Sequence, residues 1–396
     1  MLSRLGRKKL PFFSRRSIRH ETAAWFSTSP NIAKEQSKTN TGSIVSFPIP
    51  DLKSHIPAQR SLTIGILRET YDDWERRTPL CPIHVQQLLQ RSGYRTTKVL
   101  VQPSSQRCFA DGDYKRVGAI LQEDLSHADV IVGVKRPADS STLISNKTYM
   151  FFSHVIKGQE SNMELLKSIL QKHVQLVDYE CIVETDPVET DEKKRTQRLV
   201  AFGRYAGLAG MIDTLYPLGR RLVSDCGVHT PFLQCPLASM QRDLSRAKQV
   251  VSEIGQQIAH DGLPLKDPLV FCLTGNGGRV FGGAMEIMNL LPHETMQVQD
   301  LPELYAQSNP DPYKVFTVTP RPDELYQRRN CDGPFSVEDW RNHPTEYESK
   351  FATEVAPYIH ALVNCIYWDP RYARLLTKDD AQKLYESENR RQVFGA

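Results

Sequence analysis

Apolar residues follow no regular period through the first sixty positions, and a clear pattern begins only at "SLTIGILRE" (61–69), whose alternation predicts a strand. "CPIHVQQLLQRSG" (81–93) has helical spacing, Pro82 near its start and Gly93 as a stop. "TTKVLVQP" (96–103) is a second strand, and "DYKRVGAILQE" (113–123) reads as a helix running into a strand. "ADVIVGVK" (128–135) and "YMFFSHV" (149–155) are further strands, and "NMELLKSILQKHV" (162–174) is an amphipathic helix followed by a strand, "QLVDYECIV" (175–183). Strands alternating with helices predict a parallel sheet covered on both faces.

"TDPVETDEKKRTQR" (185–198) then reads as a charged hairpin-like excursion. The small-residue-rich helix "LVAFGRYAGLAGMIDTLYPLGRRL" (199–222) follows, read as crossing between two domains. Gly207 and Gly210 cost that helix stability unless a neighbour packs tightly on their face. After a further helix, "SRAKQVVSEIGQQIAHDG" (245–262), a second βαβ unit opens with "PLVFCLTGNGGRVFGGAMEIMNLL" (268–291). "TMQVQD" (295–300), "KVFTVTP" (314–320) and "IHALVNCIYW" (359–368) are its later strands, and the Pro- and Asp-rich stretch 309–345 reads as an insertion. The fold class expected is α/β, with two Rossmann-like domains built on parallel sheets. They divide as an N-terminal substrate and catalytic domain over 61–200, interdomain helices over 201–264 and a nucleotide-binding domain over 265–396.

Composition changes this picture mainly at the front. Arg4, Arg7, Lys8, Lys9, Arg15, Arg16 and Arg19 precede the first acid, Glu21, among Leu, Phe and Ser, which predicts a mitochondrial presequence over 1–30 and a location in the matrix. Residues 31–60 read as a disordered linker. The net charge of +4 is concentrated there, so no nucleic-acid surface is expected, and no apolar run is long enough for a membrane span. The eight cysteines form no C-x-x-C pair, so neither a metal site nor a disulfide framework is expected.

Candidate chemistry gathers at strand ends. "GVKRP" ends on Lys135 and Arg136, and "FFSHVIKGQ" on His154 and Lys157. Either these are solvated strand ends or they open into one site and move protons. Within "LTGNGGRVFGG", Gly275 and Gly277 supply two glycines of a G-x-G-x-x-G turn, Gly278 follows, and Val280 stands at the third position. Asp300, at the end of "MQVQD", is the candidate for the ribose hydroxyls, a placement that favours NAD. His173 and His260 fall on predicted helices as solvent-facing residues.

The motifs "GILRETYDDWERRTPLCP", "GVKRP", "FFSHVIKGQ", "DYE", "AFGRYAGLAGM" and "LVNCIYW", in this order, resemble the lysine–2-oxoglutarate reductase half of the alpha-aminoadipic semialdehyde synthases. More distantly they are similar to the lysine-forming saccharopine dehydrogenases and to the N-terminal domains of alanine dehydrogenase and transhydrogenase. The resemblance runs from about Leu62 to about Tyr385. It implies an active site in a cleft between the domains, L-lysine and 2-oxoglutarate as substrates, saccharopine as product, and NADPH in preference to NAD. Lys135 and His154 match the family's acid–base pair, and a lysine among other cations is expected to have its pKa depressed. Arg77 matches a substrate-binding arginine, with Arg136 and Lys157 as further cations for the substrate carboxylates. Glu180 matches a carboxylate that holds the lysine ammonium or tunes Lys135. Asn364, in "LVNCIYW", joins Gly275, Gly277 and Gly278 as a cofactor-binding candidate. Arg204 has no assigned role, and homo-oligomerisation is left open.

The family pattern continues beyond "ENRRQVFGA" into another strand and helices. The second sheet is therefore expected to lack its C-terminal strand or strands, with an apolar edge unpaired. The alternatives to the reductase are a catalytically impaired fragment or splice form acting as a binding or regulatory protein, and an alanine dehydrogenase-like enzyme.

Overall fold

The computed structural model describes residues 61–90, 96–185, 196–307, 309–329, 333–367, 369–386 and 394–395. The expected presequence and linker, and the tip of the charged excursion, lie outside the described residues. Those that are described form two compact units, one ending at Ala201 and the other starting at Phe202.

The first unit is built on β1 (Leu62–Ile66), β2 (Thr96–Val101), β3 (Ile120–Leu121), β4 (Val130–Lys135), β5 (Thr148–Phe152) and β6 (Gln175–Asp178). Every pairing is parallel, and the order is β3-β2-β1-β4-β5-β6. Strands with helices on both faces are apolar in both directions, and successive residues alternate between two cores. Val99, Val101 and Val132 point into a core that holds Val85, from helix α1 (Pro82–Gln90), and Tyr114, from helix α2 (Asp111–Arg116). Leu100 and Ile131 point into the other, with Leu165 and Ile169 four residues apart on helix α3 (Met163–Gln171).

The chain builds β1, β2 and β3 outward to one side and then returns to lay β4 on the other side of β1. The helices therefore diverge at the carboxyl ends of β1 and β4, and ligands of open α/β sheets bind at such a switch point. The expected strand 175–183 is interrupted. The Asp178 carboxylate accepts the Glu180 amide at 2.9 Å and turns Tyr179–Cys181 into a 3-10 helix. Strands β7 (Val183–Thr185) and β8 (Thr196–Arg198) then pair antiparallel as the bases of the charged excursion.

The second unit begins with helix α4 (Gly203–Cys226), whose Leu208, Met211, Ile212, Leu215, Leu218 and Leu222 share a core with helix α5 (Leu244–Asp261). Its sheet contains β9 (Val270–Leu273), β10 (His293–Met296), β11 (Val315–Val318), β14 (Ala361–Val363) and β15 (Phe394–Gly395), in the order β10-β11-β9-β14-β15. Between β11 and β14 lies an antiparallel hairpin, β12 (Tyr326–Arg328) with β13 (Tyr347–Ser349). The insertion therefore follows β11, whereas the stretch 309–345 had included it.

Two further expectations are corrected. The outer edge of β14 is not bare, because Phe394 and Gly395 pair with Ala361 and Leu362. The strand expected over 295–300 stops at Met296, so Asp300 lies in a 3-10 turn at the start of helix α7 (Leu301–Ala306), which follows helix α6 (Arg279–Met288) in the chain.

Helices α4 and α6 touch through glycine. A Cβ on Gly207 would lie 1.9 Å from the Val280 carbonyl oxygen, and one on Gly283 would lie 2.0 Å from that of Arg204. This is the tight neighbour required on the Gly207 face, while Gly210 faces open space. Arg204 gains a role here, since its guanidinium grips Glu286 of α6 through Nε at 2.8 Å and Nη2 at 2.7 Å, and Lys248 of α5 joins the same carboxylate. Among the described residues no helix is long and apolar enough to cross a membrane, and no cluster of His, Cys, Asp and Glu could hold a metal ion.

Candidate active site

In the first unit the carboxyl ends of four neighbouring parallel strands, β1, β4, β5 and β6, lead to Glu69, Lys135, His154 and Glu180 respectively. Adjacent strands lie about 4.8 Å apart, so the row is compact. Lys135 is in register with Phe152, and His154 follows two residues later.

Glu69 links β1 to β4. Its carboxylate oxygens accept the amides of Val134 at 2.6 Å and Lys135 at 2.9 Å, which fixes the strand end carrying the lysine. Burial raises the pKa of Glu69 and outweighs the lowering by those two amides. A cavity of about 460 Å³ opens beside it, lined among others by Glu69, Thr70, Lys135 and Arg136. Lys135 Nζ lies 5.3 Å and the Arg136 guanidinium 5.1 Å from the ring centroid of Tyr71, a cation–π arrangement on one ring.

Arg77 is held from its own strand-end loop. Its Nε and Nη2 reach the two oxygens of the buried Glu75 at 2.8 and 2.6 Å. Burial pushes the Glu75 carboxyl up, but the Arg77 hydrogen bonds and charge outweigh it and hold the carboxyl below its ordinary range.

His154 stands in the left-handed region, φ 59°, and so does the following Gly158 at 63°. A histidine there is uncommon, and such backbone conformations cluster at functional sites. The conformation brings Nδ1 to 2.8 Å from Glu180 Oε2, while Lys157 Nζ at 3.3 Å and Arg198 Nη1 at 3.0 Å share Oε1. The Glu180 side chain is 3% exposed, against 34% for His154. A buried carboxylate accepting from Nδ1–H fixes the tautomer and leaves Nε2 for chemistry. Burial pushes the Glu180 carboxyl up, but hydrogen bonds from His154 and Lys157 prevail, and its pKa is lowered. Glu180 thus stabilises this unit above the unfolded carboxyl pKa of about 4.3, and the contribution is lost as pH falls through the lower folded value. Glu180→Gln should cost about 1–3 kcal/mol at pH 7, and the difference from the wild type should close towards about pH 4 and below. Melting curves between pH 3 and 8 check this. A gap that stays constant with pH would show that the charge of Glu180 is not its source.

In the second unit β9 runs into Thr274 and the glycine turn. Gly275 and Gly277 have φ of 77° and 83°, and a Cβ on Gly275 would come 2.8 Å from the Cys365 carbonyl oxygen. Thr274 Oγ1 donates to Asn364 Oδ1 at 2.8 Å and accepts the Cys365 amide at 3.1 Å, tying the end of β14 to the turn. Gly278 caps the ten-residue helix α6. Left-handed glycines, close backbone approach and a helix start are what a pyrophosphate cradle requires.

Residues 65–209 match the alanine dehydrogenase/PNT N-terminal domain. The chain is 42% identical over 323 residues to the mitochondrial alpha-aminoadipic semialdehyde synthase of Mus musculus, covering 81% of this chain and 33% of the relative. It is 39% identical over 333 residues to the alpha-aminoadipic semialdehyde synthase of Arabidopsis thaliana, covering 81% and 30%. The saccharopine dehydrogenase [NAD(+), L-lysine-forming] of Candida glabrata is 28% identical over 254 residues, 61% of each chain. The chain thus spans about a third of the length of the synthases it matches.

Within the matched segment, His154, Lys157 and Glu180 form one hydrogen-bonded group, and Lys135 and Arg136 flank Tyr71. Glu180 is paired with His154 and not with Lys135. Glu69, Tyr71, Glu75 and Arg198 were not singled out in the sequence. Only Glu75, two residues before Arg77, offered a local signal. Asp300 is separated from the glycine turn by a strand, because β11 lies between β10 and β9. His173 and His260 are both exposed, the former just past the end of α3.

Proposed function

We propose that this chain is a lysine–2-oxoglutarate reductase that forms saccharopine with NADPH in the mitochondrial matrix. The observation that carries the reading is that Lys135 and His154 end neighbouring parallel strands beside the switch point, with the imidazole fixed by a buried glutamate. The resemblance to the synthases supports these substrates, and the basic residues before Glu21, together with the mitochondrial mouse relative, support the location.

The ε-amine of lysine adds to C2 of 2-oxoglutarate, the carbinolamine loses water, and the resulting imine is reduced to a secondary amine. Lys135 takes the proton that the nitrogen gives up on addition. His154 delivers a proton from Nε2 to the departing hydroxyl, while Glu180 supports the charge on Nδ1. The substrates bring three carboxylates, and Arg77, Arg136 and Lys157 are the cations that take them, Arg77 already oriented by Glu75. A bound reduced nicotinamide supplies the hydride, and Gly275, Gly277, Gly278 and Asn364 would hold the dinucleotide.

NADPH oxidation by the full chain should require L-lysine and 2-oxoglutarate together, with neither sufficient alone. Oxidation with pyruvate and ammonia would favour an alanine dehydrogenase-like activity, and none with either pair would favour a binding or regulatory role.

A further inference from the structure

The strand order of the second sheet bears on which dinucleotide is taken. On the side away from β14, the strand hydrogen-bonded to β9 is β11, and β10 lies beyond it at the edge. With a pyrophosphate at the glycine turn, the adenosine ribose lies over the carboxyl end of the strand next to β9. An acid there binds the 2′-hydroxyl, whereas an arginine accommodates a 2′-phosphate. Val318 is in register with Cys272, three residues before Gly275, so β11 and β9 leave the sheet together. The chain then continues Thr319, Pro320, Arg321, with no carboxylate before Asp323.

Arg321 closes this turn. Its amide donates to Glu324 at 2.7 Å and Pro322 begins the next short helix, so the backbone is fixed while the guanidinium stays 63% exposed. Nη2 contacts Asp323 at 3.1 Å and Nε lies 3.6 Å from Glu324. Exposed pairs of this kind contribute little, and a dianionic phosphate can displace a surface carboxylate.

We infer that Arg321 reads the 2′-phosphate of the dinucleotide and is the residue that selects NADPH over NADH, in place of Asp300. This rests on the dinucleotide reading of the glycine turn. Asp323 opposes the preference by competing for the guanidinium.

Calorimetric titration of the full chain with NADPH and with NADH, without substrates, tests both levels. The wild type should bind NADPH at least about tenfold more tightly, a difference of about 1.4 kcal/mol. Arg321→Ala should remove most of that difference by weakening NADPH while changing NADH less than about twofold, and Asp323→Asn should tighten NADPH. Adenosine 2′,5′-bisphosphate should compete with NADPH in the wild type and lose this ability in Arg321→Ala. Melting curves should be unchanged by either substitution, since both side chains are exposed. If Arg321→Ala weakens both cofactors equally or neither, the inference is overturned while the dinucleotide reading stands. If the wild type binds neither cofactor, that reading itself falls, and the role of Arg321 with it.

Discussion

Replacing Lys135 with methionine should lower the turnover of saccharopine formation by about 10²- to 10⁴-fold, the usual contribution of a positioned acid or base. Methionine keeps the length and apolar stem of lysine, and Glu69 bonds to the backbone of residue 135, not to its side chain, so the strand end should persist. His154→Gln should cost a similar factor, because glutamine cannot deliver a proton near neutral pH. It should also remove one limb of the pH–rate profile, which a merely structural role would leave in place. Steady-state rates from pH 6 to 10 for the wild type and both variants are the measurement. A loss under about tenfold in both variants would withdraw Lys135 and His154 from the proton transfers.

The second large effect is on folding. Gly207→Ala should destabilise the second unit by about 3 kcal/mol or more, at the upper end of overpacking costs. A Cβ placed 1.9 Å from a backbone carbonyl oxygen and 2.7 Å from the Ala284 nitrogen cannot be absorbed by a side-chain rotation, so helices α4 and α6 must separate. Gly210→Ala, one turn further along the same helix, meets no atom within 4 Å and should instead stabilise by about 0.5–1 kcal/mol. Chemical denaturation of the two variants beside the wild type gives the comparison. Equal effects at the two positions would mean that helix propensity, and not the α4–α6 contact, governs this helix.

These two glycines also mark how far the sequence could be read. Their cost in a helix demanded a close neighbour, and the long apolar periods predicted α4 and α5, but nothing local distinguished Gly207 from Gly210. The difference lies in Val280 and Ala284, more than seventy residues away. The strand ends at Lys135 and His154 were legible because apolar runs stop there. The apolar pattern did not reach their partners, since Glu69 comes from another strand, and Glu180, named only through the resemblance, pairs with His154. The placing of Asp300 turned on the same kind of contact. Its spacing from the glycine turn was too loose to settle the cofactor, and which strand lies next to β9 is a long-range property, with β11 in that place. The strand predicted through Glu180 broke because the Asp178 side chain competes with the sheet for the Glu180 amide, a local bond that hydrophobic pattern does not register.

The proposed reaction joins an amine to a keto acid and reduces the product by hydride transfer. It is tested most directly by incubating the full chain with L-lysine, 2-oxoglutarate and NADPH deuterated at the transferable C4 position, then analysing the product by mass spectrometry. The expected product contains all the carbons of both substrates, joined with loss of one water, and carries a single deuterium on the former C2 of 2-oxoglutarate. Deuterium delivered to a product that contains no lysine, such as alanine from pyruvate and ammonia, would contradict it.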